Sequence, residues 1–317
     1  MLEGVTVTGG YHEQGGGVYC EDYARPTLVS CAFERNAASL GGAMYNQSAG
    51  PAVTHCTFGE NAADAGGAIY NYGELGACSP ILTGCVFYDN AATYNGGAVY
   101  NIGQYTEPVL TDCAFLRNST SAGGGGAIRN NVSASVTLIH CLLIENSALT
   151  FGGAIRCSIG SRAVLTHCTL SGNWAGNGSA LACTLDEGRL RSACTVDILN
   201  CILRDGGGEV YNKDGSAISV TYSDVEGGAG NGPWPGEGNI DADPLFADPA
   251  NGDYHLMSQA GRWHAKSRSW KSDPVTSPCI DAGDPRTPVG LEPAPNGGIV
   301  NMGAYGGAAE ASKSNRD

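Results

Sequence analysis

Charge is scarce in this chain. Asp, Glu, Lys and Arg make up 15% of its 317 residues, and beside 48 glycines and abundant Ala, Asn, Thr and Ser that leaves little material for long helices. Basic residues are scarcer still. Seventeen Lys and Arg face 31 Asp and Glu, a formal charge of −14, so most of the surface repels a polyanion and nucleic acid is a poor partner. No stretch approaches the roughly 18 consecutive apolar residues of a membrane-spanning helix. Met1-Leu2-Glu3-Gly4-Val5-Thr6-Val7 lacks the basic start and apolar run of a signal peptide and reads as the middle of a strand; it points to a processed product or a fragment of a longer reading frame. Paired Cys-x-x-Cys spacings are also missing, which removes the usual zinc ligand set.

What is abundant is repetition. Gly17-Val18-Tyr19-Cys20, Gly42-Ala43-Met44-Tyr45-Asn46, Gly67-Ala68-Ile69-Tyr70-Asn71, Gly97-Ala98-Val99-Tyr100-Asn101, Gly126-Ala127-Ile128-Arg129-Asn130, Gly153-Ala154-Ile155-Arg156-Cys157 and Ser179-Ala180-Leu181-Ala182-Cys183 are variants of one motif. A second motif interleaves with it, centred on Cys31, Cys56, Cys85, Cys113, Cys141, Cys168 and Cys201 at intervals of 25, 29, 28, 28, 27 and 33 residues. Each cysteine is followed by Phe or Leu two residues on, and six of these coils continue to a turn asparagine: Asn36, Asn61, Asn90, Asn118, Asn146 and Asn173. Two motifs sharing one period define a coil.

In Val109-Leu110-Thr111-Asp112-Cys113-Ala114-Phe115 the apolar Leu110 and Cys113 stand three apart, which breaks the period of two and places a corner at Thr111-Asp112. With the Gly-Ala-Ile-Tyr-Asn strand this predicts three strands per coil and an all-β, right-handed parallel β-helix of three sheets. At about 4.8 Å per coil, roughly eight coils make a rod on the order of 40 Å long.

Stacking turns each repeated residue into a lane. The asparagine lane predicts an amide ladder and the cysteine lane reduced thiols in a crowded interior. Tyr19, Tyr45, Tyr70 and Tyr100, continued by Arg129 and Arg156, are expected outside the core; cross-strand packing accounts for them, and a strip that binds sugar or a partner is the functional alternative. At the corner, Asp112, His140 and His167 are the candidates for a carboxylate-oriented base, against a plain stacked lane. Cys157 and Cys183 share a lane in adjacent coils at a spacing a disulfide accepts, and Cys183 with Cys194, across Asp186-Glu187-Gly188, is the competing pair. Sequons place candidate glycosylation at Asn46, Asn118, Asn131 and Asn177.

The repeat ends near Val225, and the Gly/Pro-rich stretch from Gly227 to Gly238 opens a region with too little periodic apolar sequence to fold alone. The expected division is 1–225 as β-helix and 226–317 as an irregular segment capping the last coils. Asp241, Asp243 and Asp248, with Asp253 beyond, are a candidate calcium loop without EF-hand spacing, and turn chemistry competes for them.

The paired Gly-Gly-Ala-Ile and Phe-x-x-Asn motifs resemble polymorphic outer membrane protein repeats. Asn239-Ile240-Asp241-Ala242-Asp243-Pro244-Leu245-Phe246, Ser277-Pro278-Cys279-Ile280-Asp281-Ala282-Gly283-Asp284 and Asn301-Met302-Gly303-Ala304-Tyr305-Gly306-Gly307 are similar to the tail of large secreted bacterial right-handed β-helix repeat proteins. The resemblance implies an extracellular or cell-surface setting in a bacterium. It leads to the expectation of a non-catalytic structural, adhesive or carbohydrate-binding rod. The bare first coil invites a copy of the same chain, giving head-to-tail filaments, or an upstream segment of a longer one. The alternative is a polysaccharide lyase or glycoside hydrolase working around Asp112, His140, Arg129 and Arg156, and a third reading is a passive spacer for another module.

Overall fold

A computed structural model describes residues 1–185, 192–212, 214–228 and 232–316. Short strands succeed one another along residues 2–225 and each pairs, in parallel, with its equivalent one period later. The result is a parallel β-helix of eight coils and the start of a ninth. The coil of residues 27–47 is representative: Thr27–Val29, Ala32–Glu34, Ala37–Leu40 and Met44–Gln47 are four strands, not the expected three. The additional strand follows the turn asparagine and is written in Ala, Ser and Leu, residues whose weak strand preference and poor alternation conceal it. Four sheets of nine, nine, seven and eight strands therefore line the rod.

Each corner has a chemical reason. Between the first and second sheets one residue per coil adopts positive φ, namely Gly4, Ser30, His55, Gly84, Asp112, His140, His167, Asn200 and Tyr222, at 47° to 64°. Asn, Asp, His and Gly are the types that tolerate this region best, so backbone geometry selects the composition of the polar corner. Before the fourth sheet the corner is glycine for a steric reason. A side chain at Gly42 would collide with the carbonyl of Gly67 in the next coil.

Inside, like residues stack. Phe33, Phe58, Phe87 and Phe115 lie ring on ring, with centroids 5.0, 4.8 and 4.6 Å apart. Beside them the buried cysteines hold their thiols against the carbonyl two residues upstream, as Cys113 does to Thr111 at 3.3 Å and Cys201 to Leu199 at 3.2 Å. Ser223 takes the same place in the last coil and donates to Thr221 at 2.9 Å. Two asparagine ladders run through the interior, one from Asn36 to Asn173 and a shorter one from Asn46 to Asn130. In one, Nδ2 of Asn90 donates to Oδ1 of Asn118, and Asn118 likewise to Asn146, both at 2.9 Å. In the other, Asn46, Asn71, Asn101 and Asn130 are joined by bonds of 2.8 Å.

The Tyr/Arg lane is covered, which corrects the expectation of an exposed strip. Tyr45, Tyr70, Tyr100, Arg129 and Arg156 are all buried, and Tyr19 alone is 39% exposed. In coils such as those of Ala37–Leu40, Ala62–Ala65, Ala91–Asn95 and Ser147–Phe151 the third strand runs on far enough to lay its last side chains over the lane. Leu40 and Ala65 pack against the tyrosines, Asn95 accepts a bond from Arg129 at 2.5 Å, and the Arg156 guanidinium sits 5.0 Å from the Phe151 ring.

Leu2–Glu3, Thr6–Thr8, Tyr11–Gln14 and Val18–Cys20 form one edge of the stack. At the other end Trp234 packs on the core, and Val225 N donates to Ile240 O at 3.0 Å. The remaining C-terminal residues turn back along the flank and carry two small antiparallel hairpins, Phe246–Asp248 with Asp253–Leu256 and Arg262–His264 with Ser269–Lys271.

Candidate functional site

The C-terminal segment returns to the polar corner. Gly303 N donates to Asn200 O at 2.8 Å, Ala304 N to the Thr169 hydroxyl at 3.0 Å, and His140 Nδ1 meets Ala304 O at 3.2 Å, so residues 303–304 cross several coils. Glu292 braces this wall from behind, because its Oε1 accepts from both Asn301 N and Gly307 N at 2.8 Å. Burial pushes the Glu292 carboxyl up to about 7.

Between the corner and Ala304–Glu310 lies a cleft of about 350 Å³, lined on the coil side by Asp112, Cys113, Ala114, His140 and Leu142. Tyr305 separates it from a second cavity of about 160 Å³, bordered by Asp248, Asn251, Asp253, His255, Arg262, His264 and Lys266. Asp253 and His255 alternate along one strand and so share a face. His255 is buried, its ring stacked on Tyr305 at 3.7 Å, with Nδ1 on Asp253 Oδ1 at 2.7 Å. Arg262 donates to the other Asp253 oxygen at 3.0 Å and is also paired with Asp273. Burial opposes the Asp253 charge, but the His255 hydrogen bond and the neighbouring His255 and Arg262 charges outweigh it and lower its pKa. On the opposite edge of the ring His255 Nε2 is buried with no hydrogen-bond partner, 3.8 Å from Glu310 Oε2.

The corner residues expected to form an oriented base are brought together, but not in that chemistry. Asp112 is exposed, and among the described residues its side chain makes no hydrogen bond to His140. His140 instead stacks on His167 at 5.0 Å. His167 is buried and takes a contact from the Asn200 amide at 3.2 Å; burial first, and then its neighbour His140, lowers it to about 4, so it is neutral near pH 7.

Other candidates are redistributed. Asn46, Asn118 and Asn131 are buried and bonded through their amides, leaving Asn177 as the exposed sequon. Asp241 pairs with Arg204 at 2.7 Å, Asp243 caps Leu245 N at 2.9 Å and Asp248 accepts from Asn251 at 2.8 Å. The candidate calcium carboxylates thus serve separate local bonds, and no cluster of three metal-ligating side chains occurs among the described residues. All thirteen cysteines are free thiols, so neither expected bridge is formed. Cys157 and Cys183 are in register, and Cys194 Sγ lies 3.7 Å from the Ser161 hydroxyl. The proposed loop at Asp186-Glu187-Gly188 lies outside the described residues.

His255 and Glu310 were not singled out in the sequence, and Tyr305 stood there only as part of the Asn301–Gly307 tail motif. Asp253-Tyr254-His255 carried the one usable signal, an acid and an imidazole two apart in a strand; Glu310 carried none.

With stacked parallel sheets and no helix long and apolar enough to span a membrane among the described residues, the class is a parallel β-solenoid. A family model described as right handed beta helix region matches residues 2–184, more than half of the chain, and the chain belongs to that family. A second model, described as disaggregatase related, matches residues 201–283, a range that includes Asp253, His255 and Arg262. No curated protein and no solved structure matches significantly.

Proposed function

We propose that the protein is a non-catalytic structural or adhesive rod of a bacterial cell surface, with residues 1–225 as the shaft and 226–317 as a segment that caps it and builds a glycan-holding cleft at its corner. The observation that carries this reading is the cleft itself. The repeated lanes are largely consumed by the interior, whereas Asp112, His140 and Glu310 line the larger cavity and Asp253 and His255 the smaller one, with Tyr305 as the wall between them. Adjacent cavities of this size suit a small ligand, and a surface of charge −14 with carboxylates in the cleft favours a neutral, hydroxyl-rich one over a polyanion. The extracellular setting rests on the motif resemblance, and glycosylation would fall on Asn177.

Imaging material from its natural source tests the rod: end-to-end fibres or rods continuous with a larger protein are expected, and isolated monomeric rods would remove the assembly part. The enzyme alternative is tested by incubating the intact chain with neutral and acidic polysaccharides. Release of reducing ends, or of unsaturated ends absorbing in the ultraviolet, would replace the non-catalytic reading with a hydrolase or a lyase.

A further inference from the structure

We infer that the gap between His255 Nε2 and Glu310 Oε2 is a subsite for a hydroxyl group of a neutral sugar ring, with Glu310 the movable side chain that admits it. This rests on the proposed glycan reading and makes it specific. His255 is only 3% exposed and its orientation is not free: Asp253 holds Nδ1, Arg262 holds Asp253, and Tyr305 covers the ring. A buried imidazole nitrogen without a partner loses its hydration and gains nothing in return, so a site this firmly oriented calls for an incoming group. Glu310 stands 3.8 Å away, beyond a direct hydrogen bond, yet one oxygen can lie about 2.8 Å from both atoms at once.

A sugar hydroxyl fits this pair because it donates and accepts together. The ring lies between the Asp253 and Glu310 carboxylates, so a hydroxyl seated in the gap accepts from a proton on Nε2 and donates to the Glu310 carboxylate. A carboxylate or phosphate would instead meet Glu310 as a like charge. Glu310 is 51% exposed and already lines the larger cleft, so a change of its rotamer alone would open a way in without disturbing the anchored histidine.

The full chain should be titrated calorimetrically with cellohexaose, xylohexaose and mannohexaose, with hexagalacturonate as the charged comparison. At least one neutral hexamer should bind, hexagalacturonate should bind more weakly, and the Nε2 nitrogen resonance of His255 should shift on binding. Glu310→Ala should weaken binding about tenfold with an unchanged melting temperature, and Glu310→Gln by less, because it keeps one acceptor. Ala309→Trp, at an exposed position, should block the cleft. If Ala309→Trp abolishes binding but Glu310→Ala leaves affinity and the His255 resonance untouched, the subsite is wrong while the glycan cleft stands. Failure of every hexamer to bind the unmodified chain overturns both.

Discussion

At the scale of single residues, polar groups are kept inside this protein only where a neighbour one coil away completes them. Asn90 shows the arrangement: it accepts from Asn61, donates to Phe58 O at 2.8 Å and donates to Asn118 at 2.9 Å. Asn90→Ala strands partners in both adjoining coils. A loss of about 3 kcal/mol in urea unfolding is expected, and a loss below about 1 kcal/mol would show that the ladder is dispensable. The cysteine lane should be more forgiving of the right replacement. Since Ser223 already makes the bond that Cys113 makes, Cys113→Ser is expected to cost under about 1.5 kcal/mol, whereas Cys113→Leu should overpack the lane and cost about 1–3 kcal/mol. Glu292 gives a pH prediction. Its folded pKa of about 7 exceeds the usual 4.5, so its contribution is fully present below about 4.5 and is lost as pH rises through 7. Melting temperatures measured from pH 4 to 8 should fall less steeply for Glu292→Gln, which keeps the acceptor for Asn301 and Gly307; identical profiles would assign the pH dependence elsewhere.

At the scale of elements, corners decide more than strands do. The left-handed corner selects Asp112, His140 and His167 for their backbone tolerance, and their contacts differ from those of an oriented base, since His140 bonds Ala304 and stacks on His167. The glycine corner is stricter. Gly42→Ala drives a methyl group into Gly67 O, and a drop in melting temperature of many degrees, or failure to fold, is expected by thermal denaturation. The third strand of each coil, Ala37–Leu40 and its equivalents, is hidden in the sequence because it has little apolar alternation. The tail of that strand is also what covers Tyr45, Tyr70, Tyr100, Arg129 and Arg156.

At the scale of the molecule, each coil of the shaft touches chiefly its two neighbours, so the shaft behaves as a one-dimensional stack closed at one end by Trp234 and the segment after it. Excision of residues 86–113 joins Cys85 to Ala114 in register with the coil below, because Val86 and Ala114 are already paired equivalents. The shortened protein should fold and be about 4.8 Å shorter by small-angle scattering; an unfolded product would mean that the coils are not interchangeable.

Fold, period, corners and the first asparagine ladder were legible in the amino-acid order, because a repeated residue in a stack meets its own copy and its environment can be read from itself. The cleft was not legible in that way. Asp253 and His255 reach the coil corner through a non-repeating segment whose path depends on bonds such as Gly303 to Asn200 and Ala304 to Thr169, made across more than a hundred residues. No local pattern encodes such contacts; only the closed tertiary structure decides them, as it decided that the tyrosines would be covered and that His255 would be left with one nitrogen unpaired.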